Sequence, residues 1–411
     1  MADSKRAYDI GIDFSQGVAM ISYWREGEEE PVTMSTVAGS EAYQIPILLA
    51  KKRGMGQWFF GDEAKKVVEL DTSLCVDNLL IRAKRRERVL IEDMEYEALD
   101  LFALFVQKVM QLPGKLGNPM IPDRLVIVLK EVEKETVSLF SSILPQLGMK
   151  QSQLLVIDKK ESFYYFAFHQ RKELWFHDVC LFDCEQGKIK TYYATRNQKT
   201  IPQMIEITED EMLFSDSDKD GQFYHYALGL FQKKIVSSVY LIGDGFDGNW
   251  MKQSLAFLCK GRRVFLGKNL YSKGACYAAI CKQQETDWPF VYMGDNEMKV
   301  NVSLKVRDGG ETRFFTLITA GENWYETNGS CEVILDGTKE IQFWLQLPNS
   351  REAKIETLEL SDLPKRPNKT TRLRIFAKPL SDEAVSVRIT DLGFGDWFES
   401  SQKTWEYTMT L

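Results

Sequence analysis

Apolar and polar positions divide the chain into two parts with different rhythms. The first part begins with "YDIGIDFSQGVAM" at residues 8–20. Apolar runs over 8–14 and 18–25 predict two strands, and the small polar turn Ser15-Gln16-Gly17 between them predicts a β-hairpin. Asp13 lies near the tip of that hairpin, although Asp is a poor strand former. A strand at 31–37 and a strand pair in "QIPILLAKK" and "QWFFGDEA" follow. From Asp93 the pattern turns helical, with Leu99, Phe102, Val106, Val109 and Met110 on one stripe. Gly114, Gly117, Pro119 and Pro122 break it. A strand-helix-strand unit comes next: "RLVIVL" (124–129), an amphipathic helix over 133–148, and "QLLVID" (153–158). A helix over 161–170 leads to a second hairpin, "DVCLFDCEQGKIKTYYAT" (178–195). Residues 238–258 read as strand, glycine-rich turn and helix, and 269–281 as a helix of small residues.

Beyond Pro289 the rhythm changes. Short strand-like segments such as "MKVNVSLKV", "EIQFWLQL", "RLRIFA" and "TWEYTMTL" follow one another with turn residues between them and no helical pattern. That spacing predicts an antiparallel β-sandwich. The expected organisation is an α/β domain over 1–288 and an all-β sandwich over 289–411.

Composition narrows the function classes. A net charge of −7 is spread along the chain, with 15 Lys+Arg against 19 Asp+Glu in 290–411. Nucleic-acid binding needs a basic face and is not expected. The one basic run, "RAKRRERV" at 82–89, is followed by Glu92, Asp93 and Glu95 and reads as a solvated helix face. The seven cysteines are odd in number and irregularly spaced, which predicts reduced thiols and a cytoplasmic protein. The polar start "MADSKRAYDIG" does not read as a signal peptide. No apolar stretch approaches the roughly 20 residues of a membrane span, so no membrane role is expected. "DSDKDGQFYHYA" (216–227) opens like a calcium loop, but its twelfth position is Ala227 where a bidentate Glu is required. An acidic loop before a helix is the simpler reading.

Two acid-bearing hairpins, a strand-helix-strand unit between them, and a later strand, glycine turn and helix form an ordered set. That set resembles the actin, sugar-kinase and heat-shock-chaperone ATPase superfamily, and most nearly the heat shock protein 70 chaperones, over residues 8–281. "IGIDFSQGVAM" is similar to the first phosphate hairpin, "FFGDEAKKV" to the family's Gly-Asp-x-Ala-Lys stretch, and "CLFDCEQGKIKTYYA" to the second phosphate hairpin. "VYLIGDGFDGNWMK" is similar to the adenosine turn, and Glu161 falls where the first connecting helix begins. The resemblance implies a two-lobe ATPase-type domain followed by a peptide-binding sandwich. It implies ATP or ADP with Mg²⁺ as cofactors, with phosphates gripped by backbone N–H groups around Ser15, Gln16, Gln186 and Gly187. Asp13 and Asp183 would hold the hydrated ion through water. Gly243 and Gly245 would let the backbone pass under an adenine.

The departures bear on activity. Ser15-Gln16-Gly17 replaces the family's Gly-Thr-Thr, and Cys184-Glu185-Gln186-Gly187-Lys188 replaces its Gly-Gly-Gly-Thr turn. Glu185 sets a negative charge where phosphates belong. The family's catalytic lysine falls near Leu79, where there is none, and Arg82 and Lys84 are the nearest basic residues. The short stretch between the second hairpin and Gly243 leaves little room for a base clamp. The expectation is therefore a pseudo-ATPase that binds polypeptide partners, with weak or absent hydrolysis. The alternative is an active, nucleotide-gated chaperone-like ATPase.

Overall fold

The structure, a computed structural model, describes residues 7–411 except 16, 38, 55, 70–72, 118–120, 216, 284–287, 349 and 351. It is a mixed α/β protein with more strand than helix and several sheets. The chain divides into two compact units, one reaching Arg196 and resuming over Ile207–Trp288, the other made of Asn197–Glu206 and Pro289–Leu411. Residues 197–206, which the sequence pattern places with the first part, thus cluster with the second.

Two sheets of the first unit repeat one strand order. In one, Tyr8–Ser15 and Val18–Arg25 form the expected hairpin, with Val32–Thr33 beside it. Arg124–Leu129 and then Leu154–Asp158 add in parallel on the other side of Tyr8–Ser15. In the second sheet, Asp178–Glu185 and Lys188–Asn197 form the hairpin, with Gln203–Leu213 beside it. Val236–Ile242 and then Arg263–Gly267 add in parallel. Each sheet has a sixth strand, Ile45–Pro46 beside Val18–Arg25 in one and Phe290–Tyr292 beside Gln203–Leu213 in the other. The other five strands follow the same order in both, fifth, fourth, first, second, third. The inner parallel strands are buried and almost wholly apolar, as strands covered on both faces must be.

The helices Lys159–His169 and Leu270–Gln283 pack closely together. A Cβ on Gly274 would lie 2.2 Å from the carbonyl oxygen of Ser162, so only glycine allows that approach. Likewise a Cβ on Gly11 would lie 2.4 Å from the carbonyl oxygen of Ser272. This is why the second helix is rich in small residues.

Several local expectations are corrected. The long helix starts at Ala98, because Arg88–Ile91 and Met94–Glu97 form a small hairpin turning on Glu92 and Asp93. The basic run is therefore not one helix face. It spans the end of a short helix, Leu79–Lys84, a turn, and the first strand of that hairpin. "QWFFGDEA" splits into the strand Trp58–Phe60 and the helix Gly61–Glu69. Of the strand expected at 31–37, Val32–Thr33 alone is paired.

The second unit contains two antiparallel four-stranded sheets around one core. Leu373, Ile375, Ala377, Val385, Val387 and Ile389 point inward by strict alternation. Among the described residues no helix follows Gln283. The aromatic residues divide: Trp405 lies in the core and Trp324 packs against it. Trp344 stands on the outer face, its ring 5.1 Å from that of Phe314. Trp397 is 86% exposed. It sits in "DLGFGDWFESS", a stretch braced from within by Asp391. That carboxylate accepts two bonds from Arg366, at 2.7 and 2.8 Å, and others from the Gly393 and Ser401 backbone N–H groups and the Ser401 hydroxyl. Among the described residues no helix is long and apolar enough to cross a membrane.

Candidate functional site

Asp13 and Asp183 occupy equivalent places in the two repeats, each two residues before the end of its hairpin strand. Asp13 pairs in register with Met20 and Val128, and Asp183 with Lys190 and Ile242. Both are buried. An acid placed inside a buried strand requires a counter-charge, and the structure supplies one that the sequence did not single out. Lys159, the first residue of its helix, reaches Asp183 Oδ2 at 3.0 Å and Glu185 Oε1 at 3.2 Å. Its Nζ also lies 4.8 Å from the centre of the Tyr271 ring. Tyr271 donates its hydroxyl to the same Asp183 oxygen at 2.8 Å. The other oxygen, Asp183 Oδ1, is buried with no hydrogen-bond partner among the described residues.

Charge and burial oppose each other throughout the cluster. Burial disfavours the Lys159 ammonium, but Asp183, Asp13 and Glu185 outweigh it and hold its pKa above the ordinary value. Burial pushes the Asp13 carboxyl up to about 6, against the pull of Lys159 and of the Ser15 hydroxyl, which donates to both its oxygens at 3.0 Å. Burial, and then Asp183, raise the Tyr271 phenol well above its usual range.

These values carry a stability prediction. Folding raises the Asp13 pKa, so below about pH 4 both states hold the proton and ionisation costs nothing. As pH rises through about 6, the folded state loses on the order of 3 kcal/mol relative to the unfolded chain. Asp13→Asn cannot ionise. It is expected to exceed the wild type in thermal stability near pH 8 and to lose that advantage near pH 4. An advantage of equal size at both pH values would show that ionisation is not its source.

Of the remaining expected site residues, those described lie on the same two hairpins or against them. Ser15 closes the first hairpin strand and bonds Asp13; Gln16 lies outside the described residues. Gln186 and Gly187, with φ of 51° and 76°, form the tight turn of the second hairpin. The Gly187 carbonyl accepts from the Phe214 N–H. Gly243 and Gly245 pack directly on the residue after Asp183. A Cβ on Gly243 would sit 2.3 Å from the Cys184 carbonyl oxygen, and one on Gly245 2.2 Å from its Sγ. The protein's own strand thus accounts for both glycines. Asp244 between them pairs with Lys268 and accepts from Gln44.

The bases expected near Leu79 do not reach the acids. Arg82 pairs with Asp77 and Glu87, and Lys84 with Glu133. The calcium-loop reading also fails among the described residues, Asp216 lying outside them. Asp218 caps its helix by accepting from the Gly221 N–H at 3.0 Å. Asp220 is engaged by the backbone N–H groups of Lys252, Gln253 and Ser254 and by the Ser254 hydroxyl. No group of three or more His, Cys, Asp or Glu residues able to hold a metal occurs among the described residues. A hydrated Mg²⁺ between Asp13 and Asp183 does not fit either, because an ammonium is already bonded to Asp183 and Glu185 and would repel it.

Residues 30–295 match the model described as the family of unknown function (DUF5716), C-terminal, and the chain belongs to that family. Residues 297–411 match a domain of unknown function (DUF8552). No curated protein matches the chain.

Proposed function

We propose that the chain is a non-hydrolysing interaction protein of heat-shock-chaperone-like, two-lobe architecture. Its own lysine takes the place a cation would hold in a nucleotide site, and its second unit engages a polypeptide partner. The observation that carries this reading is Lys159, bonded to Asp183 and Glu185 and acting on Asp13. The repeated strand order, with one acid at the same position in each repeat, supports the two-lobe resemblance. The Glu185 carboxylate and the Lys159 ammonium satisfy each other, so neither is left to recruit Mg²⁺ or to grip phosphate. Partner binding is supported by Trp397, exposed on a loop braced by Asp391, and by Phe314 on an outer sheet face. Large aromatic residues held at a surface are the usual anchors of protein interfaces.

Calorimetric titration with ATP and ADP tests the reading. Mg²⁺-dependent binding tighter than about micromolar is not expected for the wild type, and Glu185→Gly is expected to gain nothing. A gain of roughly ten- to a hundredfold for ATP in Glu185→Gly, abolished by adding Asp13→Asn and Asp183→Asn, would reinstate the nucleotide-gated ATPase.

A further inference from the structure

The second sheet of the first unit has another end. Asp183 pairs with Ile242 at one end of the parallel strands, whereas Asp178 pairs with Val236 at the opposite end. Beside that opposite end lies an open cavity of about 940 Å³, lined by Lys172, Glu173, Phe176, Cys259, Arg262 and Arg263 among others. Three lining residues are cationic and one is anionic, in a chain whose net charge is −7.

Arg262 is the unusual member. Its guanidinium lies over the Phe231 and Phe257 rings, 4.9 Å from each centre, which fixes its plane. Its Nη1 is buried without a hydrogen-bond partner among the described residues. A buried guanidinium N–H left unbonded is costly, so such a group ordinarily has an acceptor. Burial lowers the Arg262 pKa, against a smaller upward pull from the Cys180 and Cys259 thiols. Phe176 at the same cavity is 53% exposed and offers an apolar surface.

We propose that this cavity binds a small phosphate monoester, its phosphate held by Arg262, Arg263 and Lys172 and its organic part resting on Phe176. A dianion matches the excess of two positive charges in the lining, and guanidinium groups suit phosphate oxygens because they donate in pairs. The volume falls within the range of small-molecule sites, roughly 300–1,000 Å³. The site is separate from the Lys159 cluster and stands or falls independently of the function proposed above.

Cys259, an exposed thiol in the lining, provides the readout, and Cys75, exposed elsewhere, provides an internal control. Phenyl phosphate and inorganic phosphate are the probes, and alkylation by iodoacetamide is followed by mass spectrometry of each cysteine-containing peptide. Phenyl phosphate is expected to slow alkylation of Cys259 but not of Cys75, saturably and at no more than roughly 10 mM, with inorganic phosphate weaker. Arg262→Gln is expected to weaken protection about tenfold or more. Because Arg262 also packs on two rings, Arg263→Gln and Lys172→Gln at exposed positions serve as the second test, each expected to weaken protection. Absence of saturable protection in the wild type, or undiminished protection in the Arg263 and Lys172 variants, overturns the proposal.

Discussion

Replacing Lys159 with Met is expected to destabilise the first unit by roughly 3–5 kcal/mol near neutral pH, and added Ca²⁺ or Mg²⁺ is expected to restore part of the loss. The ammonium is buried with Asp183, and Asp183 and Glu185 lose their charged partner when it goes. Leaving one member of a buried pair without its counter-charge costs far more than the pair contributes when intact. Methionine keeps most of the volume, so packing loss is a minor part. In the variant, Asp13, Asp183 and Glu185 act on one another with no Lys159 ammonium among them, and Asp183 Oδ1 already has no hydrogen-bond partner among the described residues. A divalent ion that binds this folded arrangement stabilises it by mass action, by about 2.7 kcal/mol at a hundred times its dissociation constant. Thermal unfolding of wild type and variant, with and without the ion, measures both effects. Equal stability of the two proteins would show that the lysine is not the counter-charge. Stabilisation of the wild type by the same ion would show that the position is open to cations after all.

The second large effect is expected at Arg366. Its side chain and that of Asp391 are both buried, at 6% and 0% exposure. Burial opposes the Asp391 charge, but Arg366 and the Ser401 and Gly393 donors hold its carboxyl well below the usual range. Arg366→Ala removes the bidentate partner and leaves the carboxylate buried, at an expected cost of about 3–5 kcal/mol to the second unit. The loop carrying Trp397 is expected to loosen first, because the Gly393 and Ser401 N–H groups bond the same carboxylate. Hydrogen exchange at those two amides tests this directly. Unchanged protection in the variant would assign the bracing to the backbone alone.

Much of the scaffold is legible from local pattern. Both hairpins announce themselves by apolar runs and by turns holding Gly17 and Gly187, residues suited to positive φ. The sandwich strands alternate cleanly because one face of each sheet is buried. Legibility fails where tertiary context decides. The hairpin at 88–97 turns on Glu92 and Asp93, with φ of 50° and 61° and no glycine to mark the bend. Gln203–Leu213 is rich in acids and mostly exposed, so no apolar run marks it as a strand. Arg263–Gly267 is short and largely exposed, and carries equally little signal.

The site divides in the same way. Asp13 and Asp183 stand out because acids are rare inside apolar strands. Lys159 does not, since "DKKES" offers two adjacent lysines and nothing local says that Lys159 is the buried one. Asp220 misleads for the opposite reason: its spacing from Asp216 and Asp218 imitates a calcium loop, while its real partners lie more than thirty residues away. Only the fold brings them to it.

Lys159 follows the last strand of the first repeat, whereas Asp183 and Glu185 belong to the second. Joining the repeats is what removes these groups from water, and the result is tolerable only when ammonium and carboxylates arrive together. A first repeat assembled alone has a cation with no anion to receive it, and a second repeat alone has anions crowded without relief. Neither repeat is therefore expected to fold by itself. The charge cluster ties the two sheets together, so despite their matching strand order they are expected to come apart in one cooperative event and not sheet by sheet.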